Sequence, residues 1–308
     1  VCVCAAIVLS VIPYFFLYQI ITPLIAGKSL TLGFVALRAA LAVRVPALLG
    51  AFLRSPLSRA YIKPFIRAHG IDMSGFEGAR FVSFNDFFTR KKPVAFDSVP
   101  ENLIAPADSL LSAYPVTAGA RFCIKGFDYA LTDFFDAARF GYSAAQADAL
   151  VRQFEDGLCL VFRLCATDYH RYCYIDDGTQ GENHYIPGTL YSVQPLAAEH
   201  FALYTKNRRS WTIMQTRHFG PVAQIEVGAF SVGGIVNLRP AAPAGERAPA
   251  AVFHKGEEKG FFDLHGSTIV LLLQKGAARL DEAVLAATAG GREMRVHIGD
   301  RIGARAGI

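Results

Sequence analysis

The stretch His265-Gly266-Ser267-Thr268-Ile269-Val270-Leu271-Leu272-Leu273 carries two readings at once. Five consecutive aliphatic residues opened by a hydroxyl pair and a glycine fit a β-strand with a turn before it. The second reading is chemical. A serine after a glycine can attack the carbonyl of the peptide bond preceding it, and glycine's missing side chain permits the tight backbone geometry that attack needs. Alone, Gly-Ser-Thr is most often a turn at the head of a strand, so its surroundings must decide.

Working outward, apolar runs separated by glycine and proline recur from Leu158 onward: Leu158 to Cys165, Tyr185 to Val193, Trp211 to Thr216, Val222 to Val227, Ser231 to Leu238 and Ser267 to Gln274. Short strands in this rhythm predict a mainly β, barrel-like or sandwich core. Upstream, helical patterns span Leu131 to Phe140 and Ser143 to Phe154. The Ala- and Pro-rich stretch Leu238 to Val252 predicts an exposed loop, and Met294 to Gly303 a strand and tight turn. No internal repeat is present. The expected class is α+β, with N-terminal membrane-associated helices ahead of the β core.

The N-terminal part carries its own signal. Residues Val1 to Gly27 contain no charged side chain, long enough for a membrane span although Pro13 and Pro23 would kink or shorten it. A buried core helix is the plainer alternative, and a signal peptide lacks its basic n-region. From Lys28 to His69 every charge is positive (Lys28, Arg38, Arg44, Arg54, Arg59, Lys63, Arg67) and is interleaved with aliphatic residues. That reads either as a solvated helix face or as amphipathic helices on an anionic lipid surface. Nucleic-acid binding fits less well, because the basic residues are diluted by aliphatics and no recognised motif accompanies them. The high hydrophobic content, 52% of 308 residues, also favours membrane association. The expected layout is an apolar membrane segment at 1–27, a basic helical region at 28–75 and a catalytic β-rich domain at 76–308. The positive-inside bias would put that domain on the cytoplasmic face. The sequence opens on Val1 rather than Met, so further residues are expected before it.

Three segments precede the Gly-Ser in order: Phe84-Asn-Asp-Phe-Phe-Thr-Arg90, Ala105-Pro-Ala-Asp-Ser109 and Thr167-Asp-Tyr-His-Arg-Tyr172. Tyr191-Ser-Val-Gln-Pro195, Lys206-Asn-Arg208, Phe219-Gly220, Glu226-Val-Gly-Ala229 and Lys255-Gly-Glu-Glu-Lys-Gly260 lie between or around them. Together they resemble the phosphatidylserine decarboxylase family, from about Arg59 to Gly303. The resemblance implies a self-processing zymogen of lipid metabolism. Asp108, a histidine of the Asp-Tyr-His segment and Ser267 would form the processing triad, with cleavage between Gly266 and Ser267. Ser267 would become a covalent pyruvoyl group, which would form a Schiff base with the amine of phosphatidylserine and need no metal or external cofactor. The implied partners are phosphatidylserine, an anionic membrane surface and the chain's own cleaved piece 267–308, with no nucleic acid. A homo-oligomer is left open.

One departure matters. Many members carry a second histidine three residues after the first, and this chain has Cys173 there. His170 would then serve both processing and decarboxylation, with Cys173 and His265 as secondary candidates for proton transfer. Read without the family, His170 is an ordinary core-edge histidine and Asp108 a turn residue. His184 and His218 match no functional position of the family. The six cysteines show neither a C-x-x-C pair nor a disulfide framework, and Cys165, His170 and Cys173 fit no standard zinc spacing. A serine hydrolase would need the G-x-S-x-G elbow, which His265-Gly-Ser-Thr-Ile269 lacks. A pyruvoyl-dependent amino-acid decarboxylase would have no use for the apolar leader. The reading kept as the alternative is a processing-dead, membrane-anchored lipid-binding paralog.

Overall fold

The computed structural model describes residues 45–124, 127–188, 203–228, 234–239, 250–264 and 267–307. The apolar segment 1–27 and the first part of the basic region lie outside these residues. Among the described residues no helix is long and apolar enough to cross a membrane.

The described residues open with helix α1 (Val45–Arg54), a 3-10 turn (Pro56–Tyr61) and α2 (Ile62–His69). Ser58 staples them to α3 (Phe84–Phe88): its hydroxyl donates to the carbonyls of Leu53 and Ser55 and accepts the Phe84 N–H at 2.8 Å. Leu53, Ile62, Phe84, Phe87 and Phe88 close into an apolar cluster, while Arg59, Lys63 and Arg67 stay exposed.

Strands β1 (Asn102–Ile104), β2 (Ser109–Pro115), β3 (Arg121–Ile124) and β4 (Phe127–Ala130) follow, then α4 (Leu131–Phe135), α5 (Ala144–Arg152) and β5 (Leu158–Leu164). Next come β6 (Arg171–Cys173), β7 (Gly178–Gln180), β8 (His184–Ile186), α6 (Leu203–Lys206), β9 (Arg209–Thr216), β10 (Gly220–Gly228), β11 (Gly234–Asn237), β12 (Ala251–Phe253) and β13 (Glu258–Asp263). The chain ends with β14 (Ser267–Leu273), β15 (Ala278–Leu280), α7 (Glu282–Ala289), β16 (Met294–Val296) and β17 (Arg301–Arg305). The fold is α+β and mainly antiparallel sheet. One long sheet runs β12-β7-β9-β10-β14-β5-β2-β16, with β8 also on β9, and its path is open at both ends. Two three-stranded sheets, β11-β13-β6 and β1-β17-β15, and the hairpin β3-β4 complete it.

β14 occupies the middle of the long sheet, between β10 and β5, and every one of its residues is buried. Strand alternation sends Ile269, Leu271 and Leu273 into a core shared with Phe162, Met214 and Phe262, while Val270 and Leu272 enter a second core with Val161, Ile225, Phe134 and Phe154. Protein therefore covers both faces, which is why the strand reads as an unbroken apolar run rather than an alternation.

The predicted helix over Leu131 to Phe140 breaks in two. Asp136 adopts φ +43°, ending α4, and a 3-10 turn covers Ala137–Phe140. Aspartate tolerates this left-handed backbone better than most residues, so the apolar spacing alone could not reveal the break. The second predicted helix is present as α5, started by a capping box between Ser143 and Gln146. Most of the predicted loop, 240–249, lies outside the described residues, and at its far end β12 takes up Ala251 and Val252 and pairs with β7.

Candidate active site

Ser267 is the first residue of β14, 1% exposed, and lies opposite Gly228 of β10 on one side and Leu164 of β5 on the other. Gly228 has no side chain to fill the space beside the serine. A Cβ added there would stand 3.0 Å from Cγ of Arg208, so the arginine stem lies against the glycine on the sheet face that Ser267 shares. The residues just before the serine, His265 and Gly266, lie outside the described residues. The last described residue on that side, Leu264, is fully buried at φ +60°, a backbone conformation that costs a branched side chain about 1–2 kcal/mol. Leu264 is held there by the cluster of α1 to α3, and Arg54 of α1 pairs with Asp263 at 2.5 Å. The strained backbone at Leu264 therefore stands three residues before Ser267.

His170 sits between β5 and β6, fully buried, with its ring tilted over Phe88 at a centroid distance of 3.9 Å. Its Nδ1 lies 2.8 Å from the carbonyl oxygen of Asp168. A carbonyl only accepts, so Nδ1 carries the hydrogen and Nε2 is the basic nitrogen of the neutral ring. The His170 carbonyl in turn accepts the Phe262 N–H at 2.9 Å, and Phe261 pairs with Arg171. The strand that leads into Ser267 is thus bonded to the histidine's own backbone. Phe88, the histidine's stacking partner, belongs to the same apolar cluster as Leu264.

Asp108 stands just before β2, whose Leu110 pairs with Arg163, which itself pairs with Thr268. Its segment therefore reaches the same end of the sheet as Ser267, one strand beyond β5. The carboxylate there accepts the Ile298 N–H at 2.8 Å and lies 3.8 Å from Nδ1 of His297. The group that holds the His170 ring is the Asp168 carbonyl. Cys173 donates its backbone N–H to Pro106 and is buried in the apolar core. Burial pushes its thiol up to about 12, so it stays protonated at neutral pH.

A buried polar network next to Ser267 was not assigned from the sequence. Glu226, opposite Ile269 and one face position from Ser267, pairs with Lys259 of β13 at 2.6 Å, with both side chains essentially unexposed. Lys259 also donates to Asn237 at 2.8 Å, and Gln224 donates to Glu226 at 3.0 Å. Burial pulls the Lys259 ammonium below its ordinary value, while Glu226 pulls the other way. The available signal was a glutamate and a glutamine in the otherwise apolar β10, which must find partners if they point inward. Around Asp168 a second polar cluster forms: its carboxylate accepts the Cys165 N–H at 2.7 Å and Arg295 Nη1 at 2.9 Å, and nearby Arg163 pairs with Glu293.

Comparison with known proteins gives the family. The profile of the phosphatidylserine decarboxylase family matches residues 84–304. The phosphatidylserine decarboxylase proenzyme 2 of Clostridium acetobutylicum is 38% identical over 245 residues, covering 79% of this chain and 77% of that protein. The proenzymes of Clostridium perfringens and Ruminiclostridium cellulolyticum are 37% and 38% identical, each across 83% of this chain and 83% and 82% of their own lengths. Matching along most of its length to a family of proenzymes, with a buried serine at the expected cleavage point, the chain belongs to the phosphatidylserine decarboxylase family.

Proposed function

We propose that this chain is a self-cleaving phosphatidylserine decarboxylase, a carboxy-lyase that converts phosphatidylserine to phosphatidylethanolamine and carbon dioxide, with Ser267 as the residue that becomes its reactive centre. The observation that carries this reading is Ser267 at the head of the central strand, shielded from water, with the His170 segment bonded to the strand that leads into it. The name proenzyme on the relatives favours a cleaving chain over a processing-dead paralog.

In the first step the Ser267 hydroxyl attacks the Gly266 carbonyl carbon. The peptide C–N bond breaks as the ester C–O bond forms, and the nitrogen leaves as the amine of residue 267. Elimination then frees the Gly266 carboxylate, and hydrolysis releases ammonia to leave a pyruvoyl group on the new N-terminus. The surroundings fit that group: the Arg208 stem lies against Gly228 opposite it, and the long sheet holds β14 on both sides after the backbone is cut. When formed, the pyruvoyl group supplies an electrophilic carbonyl that takes the substrate amine and accepts the electrons left as carbon dioxide departs.

The other residues bind, orient and move protons. His170, its Nδ1 committed to the Asp168 carbonyl, presents one basic nitrogen and is the proton carrier of the site. Cys173, protonated and buried, leaves that work to His170 in both steps. Asp108 braces the turn at Ile298 through its carboxylate. Arg208, lying against Gly228 on the serine's face, offers a cation to the anionic head group. The lipid reaches the site from the side of α1 to α3, where exposed Arg59, Lys63, Arg67 and Leu57 face outward and the same helices pack on Leu264. These groups suit an anionic bilayer surface, and if residues 1–27 span the membrane the positive charge of this region favours the cytoplasmic side.

Ser267→Ala tests the reading. It is expected to yield one uncut chain that releases no carbon dioxide from phosphatidylserine vesicles. Cleavage or turnover in that variant would remove Ser267 from the mechanism.

A further inference from the structure

We propose that Arg295, acting through Asp168, is a positioning residue for the His170 imidazole. The inference rests on the reading of His170 as the proton carrier, and it assigns to that site a strut supplied by the far end of the chain.

Asp168 acts with two different groups. Its main-chain carbonyl receives the His170 Nδ1–H at 2.8 Å and so fixes the ring's tautomer and direction. Its carboxylate holds the turn that aims that carbonyl. One oxygen accepts the Cys165 N–H at 2.7 Å, the other accepts Arg295 Nη1 at 2.9 Å, and the Asp168 N–H closes the turn onto the Cys165 carbonyl at 3.0 Å. The Asp168 side chain is 9% exposed, so its charge needs a partner, and Arg295 is the cation bonded to it. Arg295 belongs to β16, where it pairs with Leu110, two residues past Asp108. After cleavage at Gly266, Arg295 would lie on the small chain and Asp168 on the large one. The orientation of the histidine would then depend on the two pieces staying docked. At metal sites, outer partners that orient a ligating histidine typically carry a tenfold to hundredfold effect, and the lower end of that range scales the effect proposed for Arg295.

The sign of the pH dependence follows from the charges facing Asp168. Burial raises its carboxyl above the ordinary range, the Cys165 N–H and Arg295 lower it, and Asp108 raises it again, while the Arg90 charge interacts with it as well. A carboxylate raised in this way holds the turn above its pKa and releases it as pH falls through that value. Without Arg295 the carboxylate takes up its proton at a higher pH, so the acid limb of activity moves upward.

The test compares Arg295→Met and Arg295→Lys with the wild-type full-length chain. Arg295→Met is expected to fold, to slow chain cleavage, to lose about tenfold or more in kcat of the cleaved fraction with KM little changed, and to shift the acid limb of kcat to higher pH. Arg295→Lys, which retains the charge, is expected to recover most of the loss. A readout independent of turnover is the titration of the His170 imidazole by NMR in the uncut Ser267→Ala chain, which is expected to move when Arg295→Met is added. If Arg295→Met fails to fold, Asp168→Asn replaces it, with the same loss and no rescue by Lys expected. An unchanged kcat and pH limb, or a loss that Lys does not rescue and that leaves the His170 titration in place, would overturn the proposal. Full activity in His170→Ala would instead overturn the reading of the site on which it rests.

Discussion

On one face of the long sheet Val161, Ile225, Val227, Val270 and Leu272 meet Phe134, Phe135 and Phe154, with buried Arg163 and Arg209 toward its Ser267 end, bonded to Glu293 and to the Phe134 carbonyl. The other face also changes along its length. Leu271, Leu273, Met214 and Val222 are as apolar as anything opposite, but toward Ser267 the same face carries Ser210, Gln224 and Glu226 beneath Lys259 and Asn237. A single strand, β14, thus has a hydrocarbon half and a half beside buried charge. The first half can supply stability and has no group able to move a proton. The second supplies polar groups beside the proposed cleavage point, and each buried charge there requires an exact partner.

Substitutions can break or sharpen this contrast, and the largest effect is expected at the reactive end. His170→Ala should reduce carbon dioxide release by at least about a hundredfold, the lower end of what a positioned acid or base contributes. A radiometric assay on phosphatidylserine vesicles reads it, and near-normal rates would take the histidine out of the chemistry. Next in size, Lys259→Met strands the Glu226 charge in the interior. The expected loss is about 3–5 kcal/mol in urea unfolding, accompanied by slower cleavage because the network lies one face position from Ser267. A stable, fully cleaved variant would mean that the polar half is not specialised.

Leu272→Ala probes the hydrocarbon half. Stability should fall by about 2–5 kcal/mol, with the folded fraction still cleaving completely and turning over at the wild-type rate. A specific loss of cleavage at full folding would erase the distinction between the halves. The smallest effect is expected for Cys173→Ala. A thiol pushed up to about 12 remains protonated from pH 6 to 9, so removing it should change cleavage and turnover by no more than about twofold and leave the pH profile in place. A lost alkaline limb in that variant would show that the thiol takes part after all.

These contrasts were unevenly legible in the sequence. Strands β5, β9, β10 and β14 stand where the apolar runs are, because protein on both faces makes them continuous in hydrophobicity. β6, β7 and β12 are three residues each, too short for any periodicity. β13 was hidden by its charges: Glu258 and Lys259 break the apolar run, and in the fold one bonds Arg171 and the other is buried against Glu226. Ser267, His170 and Asp108 stand out as motif residues, and their segments converge at one end of the sheet. What orients the histidine did not stand out, because a main-chain carbonyl leaves no mark on residue identity. The Asp168–Arg295 contact joins residues 127 positions apart, a separation that no local pattern encodes.

The central claim, that this chain cuts itself before Ser267 to make its own cofactor, is tested most directly by intact mass spectrometry of the purified wild-type protein. The account predicts two pieces meeting between Gly266 and Ser267, the smaller one lighter by one ammonia than the same piece beginning with a free serine. A single uncut chain, or a small piece that still carries the serine amine, would contradict it.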